Sequence, residues 1–394
     1  MPRNNPSMPR TTTHTKPTDS KQTQTGHRTD LPVLRHWYRV SKSAEWQNLR
    51  DRVFNSQVLV QAGKTPFTVI YDDGLAKLRH YAPHPDAPIQ HRVPLVIVAP
   101  LAVNMLVYDL FPERSLIQYL TQQGFTVYLI DWGKPTRRHA QRNFHSYILS
   151  YMPAMLREAR QHSGQQQLSL HGWSMAGIFT LLYAAHSQDP DLKNIIIMGS
   201  PIDSYASGNI GQFYRRAGKI FGWTEARFGW HPRTLPAQLL HSQGWSNALG
   251  FKLLDPVGTM KGHLNMLKRL HDRDAVAAHA TLGAFLDHMV DYPGGVNRDM
   301  LLKVWLDNPL SKGEFKIGGK TVYLKDIHAA MLVGAGRNDG MVSVDAVRPL
   351  VDLVGSSDTT FTTVAGGHVG MIGSEAASRE FWPVLADWLA ARSD

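Results

Sequence analysis

Three residues of this chain have the types and the order needed to turn an alcohol into a nucleophile: Ser174, Asp339 and His368. A serine hydroxyl attacks poorly at neutral pH. It needs a base within hydrogen-bond reach, and that base needs a carboxylate to hold it in one tautomer. Ser174 stands in LSLHGWSMAGIFTLLYAA (Leu168 to Ala185), where an apolar, strand-like run breaks at His171-Gly172 and a helix-like run starts at Met175. Strand, sharp turn and helix with serine at the apex is the arrangement that aims a hydroxyl out of a fold. Gly172, Ala176 and Gly177 keep that turn clear of large side chains, and the Met175 amide is expected to face an oxyanion. The plain alternative is a strand-to-helix connection with a serine cap.

The other two residues follow strand-like runs in the order such a site requires. Asp339, in GAGRNDGMV, comes after Ala329 to Val333, and His368, in AGGHVGM, comes after Thr359 to Val364. Asp345 is a nearby competitor for the acid, and Asp339 has a purely local alternative as a turn residue before Gly340. His171 is expected to shape the elbow or the pocket and not to serve as the base. The second oxyanion donor is expected in the loop after Leu95 to Ala99, as the Val103 amide, with Asn104 fixing that loop through its side chain.

Strands and helices alternate through the regions that must position these residues. Strand-like runs occur at Ser56 to Gln61, Phe67 to Tyr71, Leu78 to Tyr81, Leu95 to Ala99, Thr126 to Ile130, Leu168 to Leu170 and Asn194 to Met198. Helix-like runs lie at Glu113 to Gln123, His145 to Gln161 and Met175 to His186. This pattern predicts an α/β fold with a mostly parallel, doubly wound sheet, which places Ser174 at a strand's carboxyl end. The alternation stops between about Ser200 and Asp326, a Gly-, Trp- and His-rich stretch with a helix-like run at Leu264 to His279. A hairpin is predicted at Glu314 to Leu324, turning on Gly318-Gly319. Helices at Val344 to Val354 and Glu375 to Ala391 flank the last strand. The expected organisation is a disordered basic tail over 1–30, a core from 31–199 and 327–394, and an inserted, mainly helical cap over 200–326 lying above the serine.

Composition removes several classes of function. The chain has no cysteine, which excludes disulfides, zinc-thiolate sites and a cysteine nucleophile. No apolar run reaches the roughly 18 to 20 residues of a membrane helix, and the N-terminal stretch lacks the apolar core of a secretory signal. A cytoplasmic location is the expectation. The formal net charge of +10 suggests anionic company such as a coenzyme A ester, a membrane surface or nucleic acid, with solvated surface charge that aids solubility as the equal alternative. No nucleic-acid-binding motif accompanies the charge, so nucleic acid is not expected. Neither a metal nor a cofactor is expected.

The segments PLVIVAPLAVNMLVYDLFPERSLIQYLTQQGFTVYLIDWG, the elbow, YPGG, GEFKIGGKTVYLKDI and GGHVGMIGSEAASREFWPVLADWL together span about residues 90 to 391. In them the chain resembles the polyhydroxyalkanoate synthase branch of the α/β-hydrolase superfamily. That resemblance implies an α/β-hydrolase core with a mobile cap, and it matches Asp339 and His368 to the family's catalytic acid and base. One departure matters: the synthases carry cysteine at the elbow, and here it is Ser174. A thiolate exchanges acyl groups nearly evenly with a thioester, whereas loading serine is downhill and onward transfer to a carrier thiol is not.

The expected function is therefore hydrolysis of an acyl ester or thioester through an acyl-Ser174 intermediate, on hydroxyacyl, polymeric or lipid-like esters or acyl-coenzyme A. Acyl transfer, as in a synthase that tolerates serine, is the second reading. A non-catalytic granule- or membrane-binding protein is the third, and a homodimer is the expected assembly if the chain associates.

Overall fold

Runs of β-branched and aliphatic residues build the centre of one sheet, because a parallel strand covered on both faces has no polar side to alternate with. The computed structural model describes residues 43–101, 104–254 and 256–394. It contains the strands β1 (Thr68–Asp72), β2 (Lys77–Tyr81), β3 (Leu95–Val98), β4 (Asp109–Phe111), β5 (Arg114–Ser115), β6 (Val127–Asp131), β7 (Leu168–Trp173) and β8 (Leu192–Met198). After a long excursion come β9 (Glu314–Ile317), β10 (Lys320–Tyr323), β11 (Ala330–Gly336) and β12 (Thr359–Val364). Eight of these form one sheet in the order β1-β2-β6-β3-β7-β8-β11-β12. The first two joints are antiparallel and the rest parallel.

The centre of the sheet is sealed. Leu95 to Val98 of β3 and Ile195 to Met198 of β8 are wholly buried on either side of β7. The helix Met175–Ser187 runs from the end of β7 and is itself buried from Met175 to Ala185. A helix buried along that length has no solvent face to move into, so the turn that feeds it is fixed in place.

Between Met198 and Ala330 the chain leaves the sheet. This excursion holds the helices Gly208–Phe228, Gly244–Leu254, Pro256–Lys268 and Arg273–Asp287, a π-helical stretch Asp299–Leu306, and the β9-β10 hairpin. Asp203 and Ser204 stitch its start to its end through Asn308: Asn308 Nδ2 donates to Asp203 Oδ1 at 2.7 Å, and Ser204 N donates to Asn308 Oδ1 at 2.9 Å.

Several elements differ from their expected extents. Ser56 to Gln61 is not a strand: Ser56–Val58 forms a 3-10 turn, and Leu59 is buried among Val276, Ala277 and Ala280. The single helix expected over Leu264 to His279 is two, because Asp272 caps a new start by accepting from the amides of Asp274 and Ala275. The helix expected at Val344 to Val354 is interrupted at Arg348-Pro349, and that expected at Glu375 to Ala391 is interrupted at Phe381, before Pro383. The tail expected over 1–30 lies outside the described residues.

Candidate active site

The elbow forms where β7 ends. Ser174 has φ 59° and ψ −127°, a backbone conformation that costs free energy for a residue with a side chain. Its surroundings hold it there. Ser174 N donates to Met198 O at 2.7 Å, and Ser200 Oγ donates to Ser174 O at 2.7 Å. A Cβ at Gly172 would lie 2.6 Å from Ala176 O and from Gly177 Cα, and one at Gly177 would lie 1.9 Å from Ser200 Oγ. Strand and helix approach too closely for a side chain at Gly172, and one at Gly177 would have to displace the Ser200 hydroxyl. Ala176 is wholly buried beside them.

Asp339 and His368 arrive on the turns after β11 and β12. His368 Nε2 lies 2.8 Å from Ser174 Oγ, and His368 Nδ1 lies 2.6 Å from Asp339 Oδ2. The other carboxylate oxygen, Asp339 Oδ1, accepts from the amides of Met341 and Val342 at 2.8 and 2.9 Å. An ionised carboxylate has only acceptors to offer, so Nδ1 carries the imidazole proton and the lone pair on Nε2 faces the serine hydroxyl. The Asp339 side chain is fully buried and that of His368 is 10% exposed. The indole of Trp173 lies 5.2 Å from the His368 ring. Three residues 165 and 29 positions apart thus make one hydrogen-bonded row. Asp345, the competing acid, is exposed at the start of the helix Val344–Val347.

Met175 is the first residue of the helix after the elbow, the end where backbone N–H groups point outward and the helix dipole favours negative charge. Val103 lies outside the described residues. Asn104 is buried and ties its loop to the excursion: its Nδ2 donates to Phe285 O at 2.8 Å, and its Oδ1 accepts from Leu106 N at 3.1 Å. His171 is turned away into the core, edge-on to Tyr108 at 5.7 Å. Neither of its ring nitrogens has a hydrogen-bond partner among the described residues. Burial alone drives its pKa down to about 4.

A chamber of about 150 Å³ opens beside Ser174 and His368. Its walls are mostly apolar, and the excursion supplies Tyr292, Met300 and Trp305, none of which sequence reasoning singled out. The Tyr292 hydroxyl reaches Met175 Sδ, and burial pushes its pKa up. Tyr292 opens the YPGG segment, so a signal was present, but nothing local to it says that it turns toward the elbow. A larger hollow of about 610 Å³ lies at the opposite ends of β8 and β11, among Asp189, Leu192, Asp326 and Ala330, away from this chemistry.

The fold and the elbow are those of the α/β-hydrolases. Residues 103–243 match the family model described as alpha/beta hydrolase fold, a span that includes the elbow but neither Asp339 nor His368. A soluble variant of monoglyceride lipase from Saccharomyces cerevisiae superposes with a TM-score of 0.53 at 11% identity, covering 85% of this chain and 97% of that one, a likeness of fold alone. Within this fold the chain is synthase-like. It is 29% identical to the poly(3-hydroxyalkanoate) polymerase subunit PhaC of Haloferax mediterranei over 336 residues, 85% of this chain and 66% of that protein. It is 28% identical to the subunit of the same name from Allochromatium vinosum over 87% of this chain and 93% of that protein. No helix among the described residues is long and apolar enough to cross a membrane.

Proposed function

We propose that this protein is a serine-dependent acyl hydrolase on a polyhydroxyalkanoate synthase-like scaffold, acting on hydroxyacyl or lipid-like esters or thioesters. The observation that carries this reading is the Ser174-His368-Asp339 row opening on a mostly apolar chamber. Ser174 Oγ attacks the acyl carbonyl carbon while its proton passes to His368 Nε2. The oxyanion so formed is held by the Met175 amide and by that of Val103. On collapse the carbonyl re-forms, the bond to the leaving alcohol or thiol breaks, and His368 returns the proton to that group. Water then gives a proton to Nε2 and its oxygen attacks the acyl-serine carbonyl; on collapse the bond to Ser174 Oγ breaks, Nε2 returns the proton to Oγ, and the acid leaves. Asp339 keeps the imidazole in the productive tautomer throughout. Residues 200–326 act as a cap that screens the chamber from bulk water.

The names of the relatives favour a second reading, in which a hydroxyl group replaces water as acceptor and an oligoester grows. The two differ only in what removes the acyl group from Ser174. Mass spectrometry after brief incubation with a 3-hydroxyacyl-coenzyme A, and separately with a p-nitrophenyl ester, tells them apart. An adduct on Ser174 that decays to free acid, and is absent in Ser174→Ala, is the expected outcome. Lengthening oligoester products would replace hydrolysis by transfer, and the absence of both adduct and turnover would remove the catalytic reading.

A further inference from the structure

The helix Gly208–Phe228 turns an unusual face to solvent. Phe213, Ile220, Trp223 and Phe228 are each between 59% and 66% exposed. At helical pitch Phe213, Arg216, Ile220, Trp223 and Arg227 fall within an arc of roughly 80°, so apolar and cationic side chains share one stripe. Lys219 and Arg215 follow on one side of it and are exposed. Against these four cations the helix carries one carboxylate, Glu225, whose Oε2 lies 3.9 Å from Arg233 outside the helix. The inner face is already used: Gly211 is buried against Ser204 and Tyr205, and the Tyr214 ring lies 5.4 Å from Trp305, a wall of the Ser174 chamber.

We infer that this outer face docks on an anionic lipid surface. Charge selects that occupant. A second copy meeting the same face about a two-fold axis would bring Arg216 and Arg227 of one copy against the same cationic stripe of the other, and like charges so placed disfavour association. A neutral polyester surface would take the aromatic side chains but leave the cations without partners. A layer of anionic headgroups over acyl chains satisfies both, with Trp223, Phe213 and Ile220 entering the interface and the arginines meeting phosphate. Because Tyr214, on the inner face of the same helix, packs onto Trp305, a single helix separates the docked face from the chamber wall. The inference stands independently of the hydrolase reading, since binding needs no turnover.

The test uses the full chain with Ser174→Ala, so that no lipid is consumed, and co-sedimentation with phosphatidylcholine vesicles with and without about 30% phosphatidylglycerol. Partitioning about tenfold stronger onto the anionic vesicles is expected, falling steeply by about 0.5 M salt. The pair Arg216→Glu and Arg227→Glu, and separately the pair Phe213→Ser and Trp223→Ser, should each remove most of that binding with melting temperature unchanged. Equal binding to both vesicle types, or binding that survives the charge reversal, overturns the inference. So does a lipid-free dimer, seen by sedimentation velocity, that Trp223→Ser dissolves.

Discussion

Asp339 divides its carboxylate between two partners, and the proposed reaction depends on both. Oδ1 is fixed by the Met341 and Val342 amides, which leaves Oδ2 aimed at His368 Nδ1. In Asp339→Asn the turn can keep its carbonyl acceptor, but an amide N–H would then face Nδ1 and force the imidazole proton onto Nε2, where it cannot receive the serine proton. Ester hydrolysis should fall about 10⁴-fold in kcat with melting nearly unchanged; a loss of less than tenfold would mean that Asp339 serves only its own turn. Of the two acids the sequence offered, Asp339 directly follows a strand-like run, and it is the one whose Oδ2 lies 2.6 Å from His368 Nδ1. The Ser200 hydroxyl that grips the elbow was not legible, nor was Trp305 in the chamber wall. A residue's neighbours across the fold leave no mark on its own stretch of sequence.

The elbow shows what close packing of two elements demands. At Gly177 an added methyl would press on Ser200 Oγ, the donor that holds the Ser174 carbonyl. Gly177→Ala should therefore lower stability by about 1–3 kcal/mol, read from urea unfolding, and lower kcat as well because the displaced hydroxyl no longer holds the strained turn. Wild-type stability and rate in that variant would show that the corner is loose. Periodicity located the sheet strands well, since sealed runs such as Leu95 to Val98 leave little choice. It read β7 three residues short, because His171, Gly172 and Trp173 break the aliphatic pattern while staying paired with β8. It also merged helices that Asp272 and Pro349 divide. Capping and proline effects act over one or two residues, whereas apolar spacing on either side of such a break keeps its phase.

Burial of two histidines should set the acid limit of the whole molecule. His171, wholly enclosed, and His279, with Arg52 Nε donating to its Nδ1, both have pKa values lowered to about 4 from an ordinary 6.5, chiefly by burial. The unfolded chain binds these protons at higher pH than the folded one. Stability is therefore full above about pH 6.5, declines as pH falls toward about 4, and loses nothing further from these groups below that. For His171 the decline is about 3 kcal/mol at most. Melting temperature followed from pH 7.5 to 4 should drop less steeply in His171→Asn than in the parent, whatever the variant's absolute stability. Parallel curves would assign the acid limit to other groups.

The excursion between β8 and β11 separates the serine from its acid and base by more than a hundred residues of chain. A growing or refolding polypeptide can complete the elbow long before β11 and β12 dock beside β8, and parallel pairing over such a distance is slow to form. Until it does, Ser174 is an ordinary alcohol. On the proposed function, reactivity is a certificate of completion: ester turnover during refolding should lag the recovery of helical circular dichroism, and a chain truncated in the excursion, lacking Asp339 and His368, should be chemically silent.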